Sequence, residues 1–272
     1  MPLAISDLGS LLWGTVQLRP YVFAFLLAYL VTAARDIGLR QALGFLLWGF
    51  GVAFVAEYAS TRIGIPFGLY HYTGTTTGAE LYLANVPVFD PLSFVFLAYA
   101  ALCLVRHSLG EDRGAGVVVL AGLVMMLLDV VIDPLAVRGD RWFLGRIFHY
   151  PAGGAYFGVP LSNFAGWALV GWVILGGQAW VTQRRGRISP GHRPSPRPGV
   201  GLYCGVLGFS LSMTLWIGEW RLLTVGILVH AGVFLLLYGV GAALKSRRPR
   251  AAPSVGGGAR SHHLDSGRSC RS

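Results

Sequence analysis

The sequence predicts an all-α integral membrane protein, a polytopic bundle of about seven transmembrane helices. Two observations carry this. Hydrophobic residues make up 54% of the 272-residue chain and charged residues only 12%, against about 25% charged in an ordinary soluble domain. The apolar residues also gather into repeated runs of bilayer-spanning length, each needing about 20 residues.

The runs predict helices over 16–34, 41–57, 90–106, 115–133, 161–181, 199–218 and 222–243. Arg19 and Pro20 sit near the start of the first. Asp7 and the absence of a basic leader in the first residues argue against a cleavable signal peptide, so the first helix is expected to act as its own insertion signal. Residues 1–244 are read as one transmembrane domain, with its motifs in 41–181. Residues 183–198 (QRRGRISPGHRPSPRP) form a basic, proline-rich linker. The Arg-, Ser- and Gly-rich tail, 245–272, is expected to be disordered. The isolated cysteines Cys103, Cys204 and Cys270 indicate neither a disulfide framework nor a zinc site.

Two segments interrupt the pattern. Residues 58–89 are rich in Gly, Thr, Tyr and Pro, and residues 134–160 mix Arg and Asp with aromatics. Both are long for helix connections, which points to function; their aromatic content predicts ordered caps or re-entrant segments.

The net charge of +10 does not indicate nucleic acid, because the basic residues flank apolar helices. Sixteen of the 22 Lys and Arg fall in 35–40, 106–114, 182–198 and the tail. Seven spans place all four on one side, which the positive-inside rule makes cytoplasmic. The expected location is therefore the cell (inner) membrane, multi-pass, with the tail in the cytoplasm. Both aromatic loops then share the opposite side, where Glu57, Asp90, Asp129 and Asp133 lie near helix ends.

Asp129-Val-Val-Ile-Asp133-Pro134 is the strongest local feature. Carboxylates at i and i+4 project from one helix face, and Pro134 is expected to end the helix at Asp133. Intramembrane acids cost about 2.5–3.5 kcal/mol at mid-span on insertion scales, so they usually face an interior. Two nearby carboxylates resist double ionisation, and the pair can keep a proton near neutral pH. A structural alternative has Asp133 capping the loop and Asp129 pairing with Arg138 or Arg141. Glu57 ends another apolar run, and its structural alternative is an interfacial pair with Arg62. Asn163 begins a helix, where an N-cap is the simplest role. His71 and His149 lack metal-ligand spacing. Trp216, Glu219, Trp220 and Arg221 suit an interfacial turn.

The order of strings is more telling than any one of them. Glu57 is followed by Gly64-Ile65-Pro66-Phe67-Gly68-Leu69-Tyr70-His71-Tyr72, then Val86-Pro87, Asp129…Asp133-Pro134-Leu135-Ala136 and Trp142. Tyr156-Phe157-Gly158-Val159-Pro160, Asn163-Phe164 and Gly166-Trp167 close the set. This order resembles the membrane carotenoid-biosynthesis family that includes the CruF-type carotenoid 1,2-hydratases and archaeal enzymes that hydrate bacterioruberin precursors. The resemblance covers about residues 41–181 in motifs and the other helices in hydropathy. One departure is that Asn85–Ser93 lacks the family's tryptophan soon after the proline.

The resemblance implies water addition across the terminal C=C of a linear ψ-end carotenoid, giving a tertiary alcohol. Asp129, Asp133 and Glu57 are the candidate catalytic residues: either aspartate to give the proton, and Glu57 or Asn163 to hold the water. Tyr70, Tyr72, Trp142, Tyr156, Asn163 and Trp167 are the candidate substrate-binding residues, the aromatic ones stabilising a carbocation. No cofactor and no metal are expected. The expected partners are the lipophilic carotenoid, membrane lipid and other carotenoid-pathway enzymes, with no nucleic acid. Three other readings fit parts of the pattern. Asp129 and Asp133 have the DxxxD spacing of a membrane prenyltransferase, with Arg138, Arg141 and Arg146 for phosphates. A lycopene-cyclase-like enzyme would start from the same protonation. A proton-coupled transporter would use intramembrane acids as an ion path.

Overall fold

A computed structural model describes residues 5–110, 114–184 and 195–247. The linker over 185–194 and the tail beyond 247 lie outside the described residues. The helices are α1 (Ile5–Leu18), α2 (Pro20–Asp36), α3 (Leu39–Ile63), α4 (Phe89–Leu109), α5 (Ala115–Ala136), α6 (Leu161–Arg184), α7 (Arg197–Trp216) and α8 (Trp220–Arg247). Six of them, α3 to α8, are long and apolar enough to span a bilayer; α1 and α2 together form a pair bent by 93°. The chain is thus an all-α polytopic membrane bundle.

Each of the seven expected runs corresponds to one of α2–α8, and three boundaries move for physical reasons. The first expected helix breaks at Arg19, whose φ of −127° and ψ of 47° are not helical. Pro20 occupies the first turn of α2, where its missing N–H costs nothing, and biases Arg19 away from the helical region. Residues 16–18 therefore belong to α1. Helix α3 continues past 57 to Ile63, stopped by left-handed Gly64 at φ 73°. Helix α5 continues past Asp133 through Pro134 to Ala136. Proline this near a helix end breaks few backbone bonds, and Arg138 Nη1 donates to the Pro134 carbonyl at 2.8 Å.

Helix α4 is the hub. It packs on α2, α3, α5, α7 and α8, and 72% of its most apolar window is buried, against 22% for lipid-facing α8. In lipid the hydrophobic effect does not drive helices together, and small residues that permit close backbone approach do much of the work. Helices α5 and α6 show this. A Cβ on Gly171 would stand 3.2 Å from the Gly122 Cα and 3.1 Å from Met125 Sδ. Along α5, Gly122, Met125, Asp129 and Asp133 share a face. Along α6, Gly171, Trp167 and Asn163 share the facing one.

The two aromatic segments zip together at one end of the bundle. Strand β1 (His71–Tyr72) pairs antiparallel with β4 (Phe148–His149), His71 opposite His149. Thr73 adds a backbone bond to Ile147 at 2.8 Å and a hydroxyl bond to the Arg146 carbonyl at 2.6 Å. A second ladder joins β2 (Tyr82–Leu83) to β3 (Val86–Pro87). Buried Arg19 and Glu80 pair at 2.9 Å, and Arg19 also donates to the Leu144 carbonyl, tying the α1–α2 break to both segments. Arg138 and Arg141 converge on Glu219 in the α7–α8 turn. Both segments are ordered caps.

The close α5–α6 approach gives a stability test. Gly171→Leu is expected to lower stability by about 1–3 kcal/mol, the usual overpacking range, in thermal unfolding of the detergent-solubilised protein. Gly176→Leu on the same helix, whose Cβ meets nothing within 4 Å, should leave the transition unmoved.

Candidate active site

Under the zipped caps, the ends of α3 and α5 meet the beginnings of α4 and α6. Glu57, Asp90, Asp133 and Asn163 line one small cavity there, walled by Phe67, Tyr70, Phe94, Phe148, Tyr150 and Trp167. Its free space of about 20 Å³ for a water-sized body is that of roughly one water molecule. The walls form two aromatic groups. Phe94 stacks on Trp167 at 4.0 Å, with Phe67 against both. Tyr70 contacts Phe148 and Tyr150.

Two polar clusters face this space. In the first, Asn163 Nδ2 donates to Asp129 Oδ2 and to Asp133 Oδ2, both at 2.7 Å. Tyr150 adds a long contact to Asp133 at 3.5 Å. Asp129 is wholly buried, whereas Asp133 is partly exposed and lines the cavity. In the second cluster the Tyr72 hydroxyl lies 2.6 Å from Asp90 Oδ2, 3.1 Å from Glu57 Oε2 and 3.3 Å from the Tyr70 hydroxyl. Glu57 is 2% exposed. Its Oε1, like Asp129 Oδ1, has no hydrogen-bond partner among the described residues.

The cap phenols are held neutral. Burial first, then Asp90 and Glu57, raises Tyr72 well above the ordinary phenol range. Burial, followed by Glu57 and Asp90, does the same for Tyr70, and burial with Asp133 and Asp129 for Tyr150. All three can therefore donate hydrogen bonds to carboxylates without ionising.

Most of the residues singled out in the sequence meet here. Asp129, Asp133, Glu57, Tyr70, Asn163 and Trp167 are in or directly behind the cavity, and Tyr72 reaches it through its hydroxyl. Trp142 does not: its indole donates to the Leu135 carbonyl and its ring packs on Tyr21, Phe143 and Phe209. Tyr156 packs on Phe157 and Phe164 outside the lining. The structural alternatives fail as well. Arg138 and Arg141 engage Glu219, and Arg62 lies over Tyr58 and bonds Asn85. Asn163 is the third residue of α6 and uses its amide on the two aspartates. Phe67, Phe94, Phe148 and Tyr150 were missed as wall residues. Phe148 and Tyr150 flank His149 at and just past β4, and this short alternation was the signal in the sequence. Among the described residues, no group of three or more His, Cys, Asp or Glu could hold a metal ion.

Fold and site together define a membrane-embedded helical protein with a small, carboxyl-rich and aromatic-walled chamber at one end of its bundle. The chain matches the family described as carotenoid biosynthesis protein over residues 18–233 and belongs to that family. It is also 35% identical over 131 residues to the bisanhydrobacterioruberin hydratase of Haloarcula japonica, a match covering 47% of this chain and 40% of that protein. The chain therefore spans about two-fifths of the length of this curated relative. No solved structure matches.

The Asn163 bridge can be tested through stability. Hydrogen bonds to charged groups contribute about 1.5–3 kcal/mol each, and an orphaned buried acceptor costs more than an apolar replacement. Asn163→Leu is expected to lower the unfolding transition markedly, and Asn163→Leu with Asp129→Leu to recover part of that loss. Equal transitions for wild type and Asn163→Leu would show that the bridge is not stabilising.

Proposed function

We propose that the protein is a carotenoid hydratase, adding water to the terminal C=C of a linear ψ-end carotenoid by acid catalysis. The observation that carries this reading is the meeting of two carboxyl clusters at one aromatic-walled chamber with room for about one water. The family assignment and the name of the Haloarcula japonica relative support it.

The chemistry follows from the arrangement. Asp133, the member of its pair that reaches the cavity, gives the proton that it shares with Asp129. That proton bonds to the less substituted alkene carbon, and the π electrons that form the new C–H bond leave a tertiary cation on the neighbouring carbon. The faces of Trp167, Phe94 and Tyr70 stabilise the cation, by about 2 kcal/mol or more when desolvated. Water held near Glu57 attacks the cation and loses a proton to the carboxylate opposite Asp133. Return of that proton across the chamber restores Asp133, and the net change is one H₂O added. Asn163 keeps the two aspartates together and leaves the donor face of Asp133 towards the substrate. No step in this chemistry is a redox step. The end group is larger than the free space, so its binding must displace wall side chains.

A lycopene-cyclase-like outcome would begin with the same protonation, and space for a water beside the acids favours hydration. The arginines that a prenyltransferase would use for phosphates are, at Arg138 and Arg141, already committed to Glu219. A transporter would carry its acids through the span, whereas these cluster at one end. On this reading the protein sits in the cell membrane with chamber and caps on the non-cytoplasmic side, and the basic linker and tail in the cytoplasm, as the Lys and Arg excess requires. Membrane lipid delivers the substrate, and neighbouring pathway enzymes are its sources and sinks.

Expression in a host that makes lycopene tests the proposal. A product heavier by one water is expected, and an isomer of equal mass would mean cyclisation. Asp133→Asn and Asp129→Asn should each abolish hydration, a loss of at least about 10²-fold for a general acid, while the protein still inserts in the membrane. Full activity in both variants would remove these acids from the mechanism.

A further inference from the structure

The second polar cluster obeys a hydrogen-bond count. A tyrosine hydroxyl has one proton to give and two lone pairs with which to accept. Tyr72 has three oxygen neighbours: Asp90 at 2.6 Å, Glu57 at 3.1 Å and Tyr70 at 3.3 Å. Its single proton goes to the nearest, and 2.6 Å is the length expected of O–H···O⁻. The count is met when Glu57 is protonated and donates to the Tyr72 oxygen, with Tyr70 supplying the remaining bond. The three residues thus form a directed chain, Glu57 to Tyr72 to Asp90, with one carboxyl proton between two carboxyl groups.

The surroundings agree on which end holds the charge. Asp90 lies in the first turn of α4, where the helix dipole favours an anion. The Arg19 guanidinium, paired with Glu80, lies over Phe89, the residue before Asp90. Glu57 lies in the C-terminal half of α3, against Asp90 and Asp133, and among the described residues no cation is paired with it.

We propose that Asp90 is the charge-bearing half of the base in this enzyme, coupled to Glu57 through Tyr72, so that the three act as one proton acceptor. The inference rests on the hydration reading. As water attacks the cation, the Tyr72 proton moves to Asp90, the Glu57 proton moves to Tyr72, and Glu57 takes the proton of the water. Tyr72 gains a proton as it gives one up, so no phenolate forms. The triad ends with one proton more and the Asp129–Asp133 pair with one fewer, which balances the step. Glu57 Oε1, buried and without a partner among the described residues, is the atom left to face the water.

The test is steady-state kinetics on lycopene in membranes containing the full-length protein. Asp90→Asn preserves shape and can still accept from Tyr72, yet carries no charge. Its kcat is expected to fall about 100-fold, the scale of a lost general base, with KM within about threefold. Asp90→Glu should keep at least a tenth of the wild-type kcat, and millimolar formate should restore part of the activity of Asp90→Ala. Tyr72→Phe should lower kcat about tenfold with KM unchanged. Wild-type turnover in Asp90→Asn would overturn the proposal. So would a loss that neither Asp90→Glu nor formate repairs, because that pattern marks a structural role. Product analysis of the wild type separates the two claims: if it makes the hydrated product while Asp90→Asn is fully active, only the relay fails, and if it makes no product heavier by one water, the hydratase reading fails with it.

Discussion

One amide holds two carboxyl groups together inside a bundle that is otherwise greasy, and most of the site depends on that contact. Asp129 has no exposure at all, and a buried carboxyl without partners is among the least tolerable groups in a membrane protein. Asn163 answers it from the first turn of the neighbouring helix, with two bonds of 2.7 Å. The bond requires α5 and α6 to run close and in fixed register. The Gly122–Gly171 approach two turns deeper provides that. Packing of small residues in the span and polar chemistry near the surface are thus two ends of one constraint. A helix rotation that spoiled the first would strand the second.

The caps solve a related problem. Carboxyl groups at helix ends would ordinarily be wetted by bulk solvent, and the acid catalysis proposed for this site needs the opposite. Strands β1 and β4 are only two residues each, too short for independent stability. They persist because their side chains are the chamber's walls: Tyr72 reaches down to Glu57 and Asp90, and Phe148 packs on both Tyr70 and Tyr72. The buried Arg19–Glu80 pair and the Arg138–Arg141–Glu219 cluster fasten the rim to α2 and to the α7–α8 turn. Charges are placed where they brace the lid, and the cavity lining has none that is cationic. That absence suits a site proposed to generate a carbocation, because a fixed positive charge beside it would raise the barrier.

The legible part of this protein was the part governed by hydropathy and by isolated charges. Each expected span corresponds to a helix because a bilayer admits little else. Glu57, Asp129 and Asp133 stood out because acids in apolar runs are costly, and their shared location followed from counting spans. What the sequence hid was direction. Trp142 and Tyr156 belong to the second aromatic segment as Tyr70 and Tyr72 do to the first, but they turn away from the cavity to pack on Phe209 and on Phe164. No periodicity in an irregular loop reveals such a choice. The bend at Arg19 follows from Pro20 and is held by the distant Glu80, and α5 continues through Pro134 where Arg138, four residues on, takes the Pro134 carbonyl. Asn163 read as a cap because a cap is what asparagine usually is at a helix start; only its partners 30 and 34 residues upstream changed its role.

On the proposed chemistry, the arrangement also accounts for the use of two carboxyl clusters where protonation alone needs one. Hydration consumes a proton at one carbon and releases one from water at the next. A single acid could serve both ends only by moving between them. Two clusters remove that need: the donor pair gives from α5 while the acceptor chain receives from α3 and α4. The same geometry opposes the competing outcome. Cyclisation requires a second alkene of the substrate to fold back onto the cation before water reaches it, and the acceptor chain holds water beside the cation. Specificity would then come from confinement near a carboxylate, with the aromatic walls indifferent to which nucleophile arrives.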